Sequence, residues 1–268
     1  MVSSDADHQD LKFMSKVIYL SHTAPVHMAD DWFDLATSED FWIKRRFDVL
    51  RTLADGLDLG NKRVGEIGCG CGFVQHQLGK HYGIEVDGFD LNEHALLNSV
   101  ATDQPRYCYN IFDRNPQFAA RYDVLVLFDV IEHIEQEKAF LEMVLFHLKE
   151  GGCLLINVPA FAVLHSRYDE VMGHQRRYDF AMLEVACSAV GLTRVARTYW
   201  GLPMVPLLLL RKLWLKGQKD PRVVTRRGFI APGRVVNFFL TIVARLEIIP
   251  QGLMGTSLMA IYRKEKKP

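Results

Sequence analysis

At 268 residues, the chain is long enough to bury a full core as one large domain or as a domain with an appendage. Its hydrophobic fraction of 49% with 24% charged residues is that of an ordinary soluble globular protein, and its five irregularly spaced cysteines suit reduced thiols better than a disulfide framework. The formal net charge of zero hides a split: residues 201–268 hold 13 Lys+Arg against 3 Asp+Glu, which leaves 19 against 29 in residues 1–200.

The opening "MVSSDADHQD" is acidic and polar and has no apolar core, so no secretory leader is expected, and reduced thiols point to a cytoplasmic setting. Residues 1–30 read as a loose arm or short helical lid. The stretch from Asp30 to Leu57 reads as one or two helices, with Phe41, Trp42, Phe47, Leu50 and Leu53 at roughly helical spacing. An alternation of strands and helices follows. "RVGEIG" is a short apolar strand, Phe73 to His81 a helix, "IEVDGFD" a strand, "NEHALLNSVA" a helix, and "RYCYNIF" a third strand. "YDVLVLFDV" is an unbroken apolar run, as expected of a strand buried on both faces. "EKAFLEMVLFHLKEGG" reads as a helix closed by glycine and "CLLINVP" as a fifth strand. "DFAMLEVACSAVGL" is a helix capped by Asp179, and "LTRVARTYW" a sixth strand. This rhythm predicts an α/β fold with a parallel sheet and helices on both faces. It breaks in a long insertion over about residues 200–256, before a last strand, "SLMAIYRK".

"VGEIGCGCGF", Val64 to Phe73, ends a predicted strand and opens a predicted helix. Glycines at 68, 70 and 72 permit a tight turn and close approach of a ligand to the backbone, and the helix start offers free N–H groups. A dinucleotide cradle would place its third glycine at 73, where Phe73 stands. Cys69 and Cys71 have no second Cys or His pair at zinc-site spacing, so they read as small residues beside a ligand and no metal is expected.

The pattern Glu66-x-Gly68-x-Gly70-x-Gly72 resembles motif I of the class I S-adenosylmethionine-dependent methyltransferases. Asp90, ending the second strand, matches the acid that in this family accepts hydrogen bonds from both ribose hydroxyls. "NIFDRNP" resembles the family's adenine loop, with Asn110 or Asp113 at its acidic position, and "FDVIEHI" resembles its fourth-strand signature. The resemblance covers roughly residues 62–160. It implies a doubly wound, Rossmann-like seven-stranded sheet with the last strand antiparallel, and the helical insertion before that strand departs from the family's minimal fold. With the reading of the chain, it divides the sequence into an N-terminal helical arm or lid over 1–60 and a methyltransferase domain over 61–268. The implied cofactor is S-adenosyl-L-methionine, held by Glu66, Gly68, Cys69, Gly70, Gly72, Phe73, Asp90, Leu91, Asn110, Ile111, Asp113, Phe128, Asp129, Val130 and His133.

An oxygen acceptor needs a base, and His133 in the "IEHI" turn and His174 beyond the fifth strand are the candidates. The family's Asn/Asp-Pro-Pro-Tyr element for nucleobase amines is missing, so no nucleic acid is expected. "FDVIEH" resembles the group containing the ubiquinone-pathway O-methyltransferases, which implies a small or hydrophobic organic acceptor. A non-catalytic cofactor-binding regulator, or methylation at nitrogen or carbon, stays open. "GHQRRYD" resembles a segment of a subset of these enzymes. Tyr168, His174, Arg176, Arg177 and Tyr178 would meet the acceptor, or Asp169 and the arginines would staple the loop together. Trp42 and Arg46, in "EDFWIKRRF", would close over the methionine end of the cofactor or pack as an ordinary helix. The insertion's two apolar segments are too short and too charged to span a membrane. Their basic surplus suits a peripheral membrane contact, a lid over a lipid-like acceptor or a homodimer face, and a solvated basic surface would carry it equally.

Overall fold

The computed structural model of the chain describes residues 17–24, 36–228 and 234–266. Among the described residues eight strands form one sheet: β1 (Ile18–Tyr19), β2 (Val64–Ile67), β3 (Val86–Asp90), β4 (Arg106–Cys108), β5 (Tyr122–Phe128), β6 (Leu148–Pro159), β7 (Leu192–Trp200) and β8 (Ser257–Lys264). Their order across the sheet is β1-β4-β3-β2-β5-β6-β8-β7. β8 runs antiparallel to both its neighbours, and every other pairing is parallel. This is the doubly wound α/β architecture expected, with one strand more than the seven expected. The extra strand is β1, which lies within the presumed arm and pairs with β4. Residues 1–16 and 25–35 of that arm lie outside the described residues.

The helices are α1 (Phe41–Leu53), α2 (Phe73–Tyr82), α3 (Glu93–Leu97), α4 (Glu137–His147), α5 (Arg167–Val171), α6 (Phe180–Ser188), and, in the insertion, α7 (Val205–Leu215), α8 (Pro221–Gly228) and α9 (Arg234–Arg245). β5 shows why its sequence is apolar throughout. Leu125 and Leu127 join the core on one face, whereas Val124, Val126 and Phe128 join the core on the other.

Three boundaries differ from the sequence reading. α4 stops at His147, and "LKEGG" already belongs to β6, with a register shift opposite Tyr122 and Val124. Gly151, at φ +77°, therefore serves the start of a strand and not a helix end. α3 ends at Leu97, and the N–H of Val100 is drawn to the carbonyl of Cys71, which ties this segment to the glycine loop. β4 ends at Cys108, after which Asn110 caps a 3-10 turn over Ile111–Asp113.

Candidate active site

β3 and β5 lie on opposite sides of β2, so the sheet order reverses at the β2–β5 pair, and a crevice at the strands' C-terminal ends is the expected ligand site. Gly68, at φ +75°, begins the loop after β2. A Cβ there would stand 2.3 Å from Cγ2 of Val130, so glycine is what lets this loop pass the one after β5. Gly70 donates its N–H to Oδ2 of Asp90 at 2.7 Å, and Asn92 donates to Oδ1 at 2.8 Å. Burial pushes the Asp90 carboxyl up, and the N–H groups of Asn92 and Gly70 oppose that shift. Each oxygen keeps further lone pairs, so the carboxylate is fixed in place and still able to accept from a diol. The residues thus fit a ribose.

The N–H of Gln75, in the first turn of α2, meets Oε2 of Glu66 at 3.1 Å. Burial pushes Glu66 up to about 8, against the Arg46 charge and the Gln75 bond. Cys69 and Cys71 are buried, as is Phe73, which packs with Ile43 and Ala95. Burial also pushes the Cys69 thiol well up, so this residue is no ready thiolate.

The segment around β1 crosses the ends of β3 and β4. Ala24 N–H donates to the carbonyl of Leu91, and Ser21 Oγ donates to Asp113 at 2.5 Å while accepting from the Asn110 N–H at 2.8 Å. Asn110 spends its own side-chain oxygen on the N–H of Phe112, and Ile111 is buried between them. Both candidates for the adenine-loop acid are therefore already engaged within the protein.

On the opposite side of the crevice, Phe128 ends β5 and Asp129 follows at φ +56°. Arg46, from α1, pairs with Asp129 at 2.5 Å and lies over the Phe128 ring at 5.4 Å. Asn157 of β6 donates to the other Asp129 oxygen at 2.7 Å and accepts from the Trp200 indole N–H at 2.9 Å. The Trp42 ring packs on Trp200, with centroids 4.2 Å apart. The structure places Trp42 and Arg46 in one chain of contacts that fastens α1 across β5, β6 and β7.

His133 and His174 belong to separate loops, yet their ring centroids are 4.8 Å apart at 79°. The Gln175 N–H donates to the Glu132 carbonyl at 2.8 Å, which clips the two loops together. Nδ1 of His174 lies 2.9 Å from Oδ1 of Asp169. Asp169 is fully buried and also holds Arg177, at 2.7 Å. Burial alone would raise its carboxyl, but the His174 bond and the Arg177 charge outweigh it and hold it well below the usual carboxylate range. Arg177 gives another N–H to the Ala160 carbonyl. Arg176 pairs with Glu137, and the buried Tyr178 hydroxyl donates to the same carboxylate at 2.8 Å. Tyr168 lies under the Arg211 guanidinium, 4.2 Å from ring to charge. Of the "GHQRRYD" group, His174 therefore joins His133, whereas the arginines and Tyr178 brace the loop from behind.

Glu132 is fully buried, with both carboxyl oxygens lacking a hydrogen-bond partner among the described residues. Burial and the Asp129 charge push it well up. One ligand atom each from Glu132, His133 and His174 falls within 4.8 Å of the others, a set able to hold a divalent cation. Sequence spacing did not suggest it, because the two histidines meet only through the fold. Asn157, Trp200 and Ser21 were also missed, since each acts through a tertiary contact. Asp169 had a local signal: Ser166-x-x-Asp169 closes a capping box at the start of α5.

Residues 66–154 match the family model described as a methyltransferase domain. That match spans 89 of the 268 residues, a third of the chain. A ubiquinone biosynthesis O-methyltransferase of Marinobacter nauticus is 26% identical over 142 residues, which is 48% of this chain and 58% of that one. The chain thus spans little more than half the length of the curated relatives it matches. The fold of the domain is shared with phosphoethanolamine N-methyltransferase 2 of Haemonchus contortus, solved with S-adenosyl-L-methionine. The TM-score is 0.55 at 16% identity, covering 89% of this chain and 58% of that one. It is shared as well with the [4+2]-cyclase SpnF, with TM-score 0.53 at 13% identity, covering 92% and 100%. One fold serving these two names means that this domain's reaction has to be argued from its site.

Proposed function

We propose that the chain transfers a methyl group from S-adenosyl-L-methionine to an oxygen of a small or hydrophobic organic acceptor, with an imidazole of the His133–His174 pair as the base. The observation that carries this reading is the meeting of those two rings, 4.8 Å apart, one from the loop that follows β5 and one from the loop that follows β6. The cofactor supplies an already activated methyl group. Asp90 would hold its ribose, and the loop from Gly68 to Gly72 would admit its amino-acid end to the backbone. Asp129 is kept in place by Arg46 and Asn157 and would orient that end.

An activated donor leaves the protein two tasks, alignment of the acceptor and removal of its proton. His174 is suited to the second because Asp169 fixes its Nδ1 side, so that its ring stands in one orientation toward His133. The similarity to ubiquinone-biosynthesis O-methyltransferases supports oxygen as the nucleophile. Five free, buried cysteines support a reducing, cytoplasmic setting. The exposed apolar faces of the insertion support a partner there, either a membrane surface or a second copy of the chain.

The test is release of S-adenosyl-L-homocysteine from S-adenosyl-L-methionine in the presence of phenolic and catecholic acceptors carrying apolar tails. Product release that depends on acceptor and falls in His133→Ala or His174→Ala supports the reading. Tight cofactor binding without release for any hydroxylated acceptor returns the chain to a non-catalytic cofactor-binding role.

A further inference from the structure

α9 is turned the wrong way round for a helix that packs on a soluble domain. Asn237, Thr241 and Ala244, spaced i, i+4 and i+7, face the body: Ala244 is buried, and Asn237 accepts the Phe41 N–H at 2.9 Å and donates to the Glu39 carbonyl at 3.2 Å. The large apolar side chains point away. Phe238 is 62% exposed, Phe239 59% and Leu246 76%. α7 repeats the arrangement. Arg211 turns inward, over Tyr168 and onto the Gly228 carbonyl, and Lys212 reaches the Val163 carbonyl. Leu210 and Leu213 are exposed, Leu213 to 69%. In both helices polar contacts help to hold the inner face, joined in α7 by the buried Leu215, and large apolar side chains stay exposed on the outer face.

The charge beside these faces selects the occupant. Among the described side chains of residues 205–246, Lys216, Lys219, Arg222 and Arg245 are exposed, against one acid, Asp220. In a two-fold dimer the patch would meet itself, and its basic surplus would oppose a like surplus. An anionic lipid surface offers both a matching charge and an apolar layer for the leucines and aromatics. No helix among the described residues is long and apolar enough to cross a membrane, and α7 and α9 have 11 and 12 residues, so they fit a surface and not a span.

We propose that α7 and α9 dock the protein on an anionic lipid bilayer, lying in its interface. The placement relative to the crevice gives the docking a use. α9 is fastened to the start of α1, the helix that brings Arg46 to the loop after β5. α7 is fastened to the 162–164 turn and to α5, in the loop that continues to His174. The two lipid-facing helices thus hold the two walls of the site. That an acceptor with an apolar tail enters from the bilayer rests on the methyl-transfer reading, whereas the docking itself does not.

Vesicle co-sedimentation of the full chain tests it, with phosphatidylcholine vesicles containing or lacking phosphatidylglycerol, and with the double variant L213E/F238E. These two side chains project outward and belong to no part of the candidate site. The intact chain should pellet at least tenfold more with the anionic vesicles, lose much of that binding in 0.5 M salt, and lose nearly all of it in the double variant. Thermal melting and S-adenosyl-L-homocysteine titration without lipid establish that the variant is folded, and they report on the cofactor reading independently. A folded chain that stays in the supernatant with both vesicles overturns the proposal, as does equal pelleting of the double variant. A lipid-free dimer that the double variant dissolves, with no vesicle binding, assigns the faces to a second copy instead.

Discussion

Oδ1 of Asp169 stands 2.9 Å from Nδ1 of His174 and also receives Arg177, at 2.7 Å, so one buried carboxylate serves both a candidate base and a structural cation. Asp169→Asn would leave the Arg177 guanidinium buried with no counter-charge. The expected cost is about 3–5 kcal/mol of stability, the scale for breaking a buried pair by removing one partner. Urea denaturation near neutral pH checks it. The folded carboxyl lies below its unfolded value, so its contribution is present above the unfolded pKa and is lost as pH falls through the folded one. The gap between native and variant should therefore close in strong acid and stay constant from pH 5 to 7. A gap that widens in acid would contradict this assignment.

His133→Ala and His174→Ala should each lower turnover by roughly 10²–10⁴-fold, the usual contribution of a positioned base. Cofactor affinity should change little, because Asp90, proposed here to hold the ribose, lies on the far side of β2. Steady-state kinetics paired with calorimetry separates the effects. If only His174→Ala is slow, the base is His174 and His133 orients it. If neither is slow, the pair is structural.

Glu66 gives a second pH signature, opposite in sign to that of Asp169. Burial keeps its proton on up to about pH 8, whereas the unfolded side chain loses it near 4.5. Between those values the folded state binds more protons, so this residue makes stability fall as pH rises. Glu66→Gln keeps the shape and an acceptor for the Gln75 N–H but cannot ionise. Denaturation midpoints from pH 5 to 8.5 should decline less steeply in the variant. Parallel curves would show that Glu66 does not carry the effect.

The parts of the fold that repeat a local pattern were legible in the sequence. β7 and β8 fall where alternating and apolar runs placed them, and the strand–glycine loop–helix from Val64 to Tyr82 follows from its glycines and apolar residues. β1 was not legible, because two residues carry no period and the strand exists only through its pairing with β4. The end of α4 was misjudged because Gly151 and Gly152 resemble a helix stop, whereas they begin β6 where its register shifts against β5. In the site, the glycine loop and Asp90 could be read because their spacing along the chain sets their geometry. The His133–His174 contact, the Arg46–Asp129 pair and the turning inward of Arg177 could not, since each joins segments 41 to 83 residues apart or, for Arg177, depends on which way its loop folds.

The central claim is that the loop after β2 and Asp90 form an S-adenosylmethionine cradle. Isothermal titration of S-adenosyl-L-homocysteine into the intact chain and into Asp90→Ala tests it most directly. The account predicts saturable one-to-one binding that weakens in the variant by about 1.5–3 kcal/mol, roughly 10- to 150-fold, the scale of charge-assisted hydrogen bonds. Unchanged affinity in a folded Asp90→Ala variant, or no binding by the folded intact chain, would contradict it.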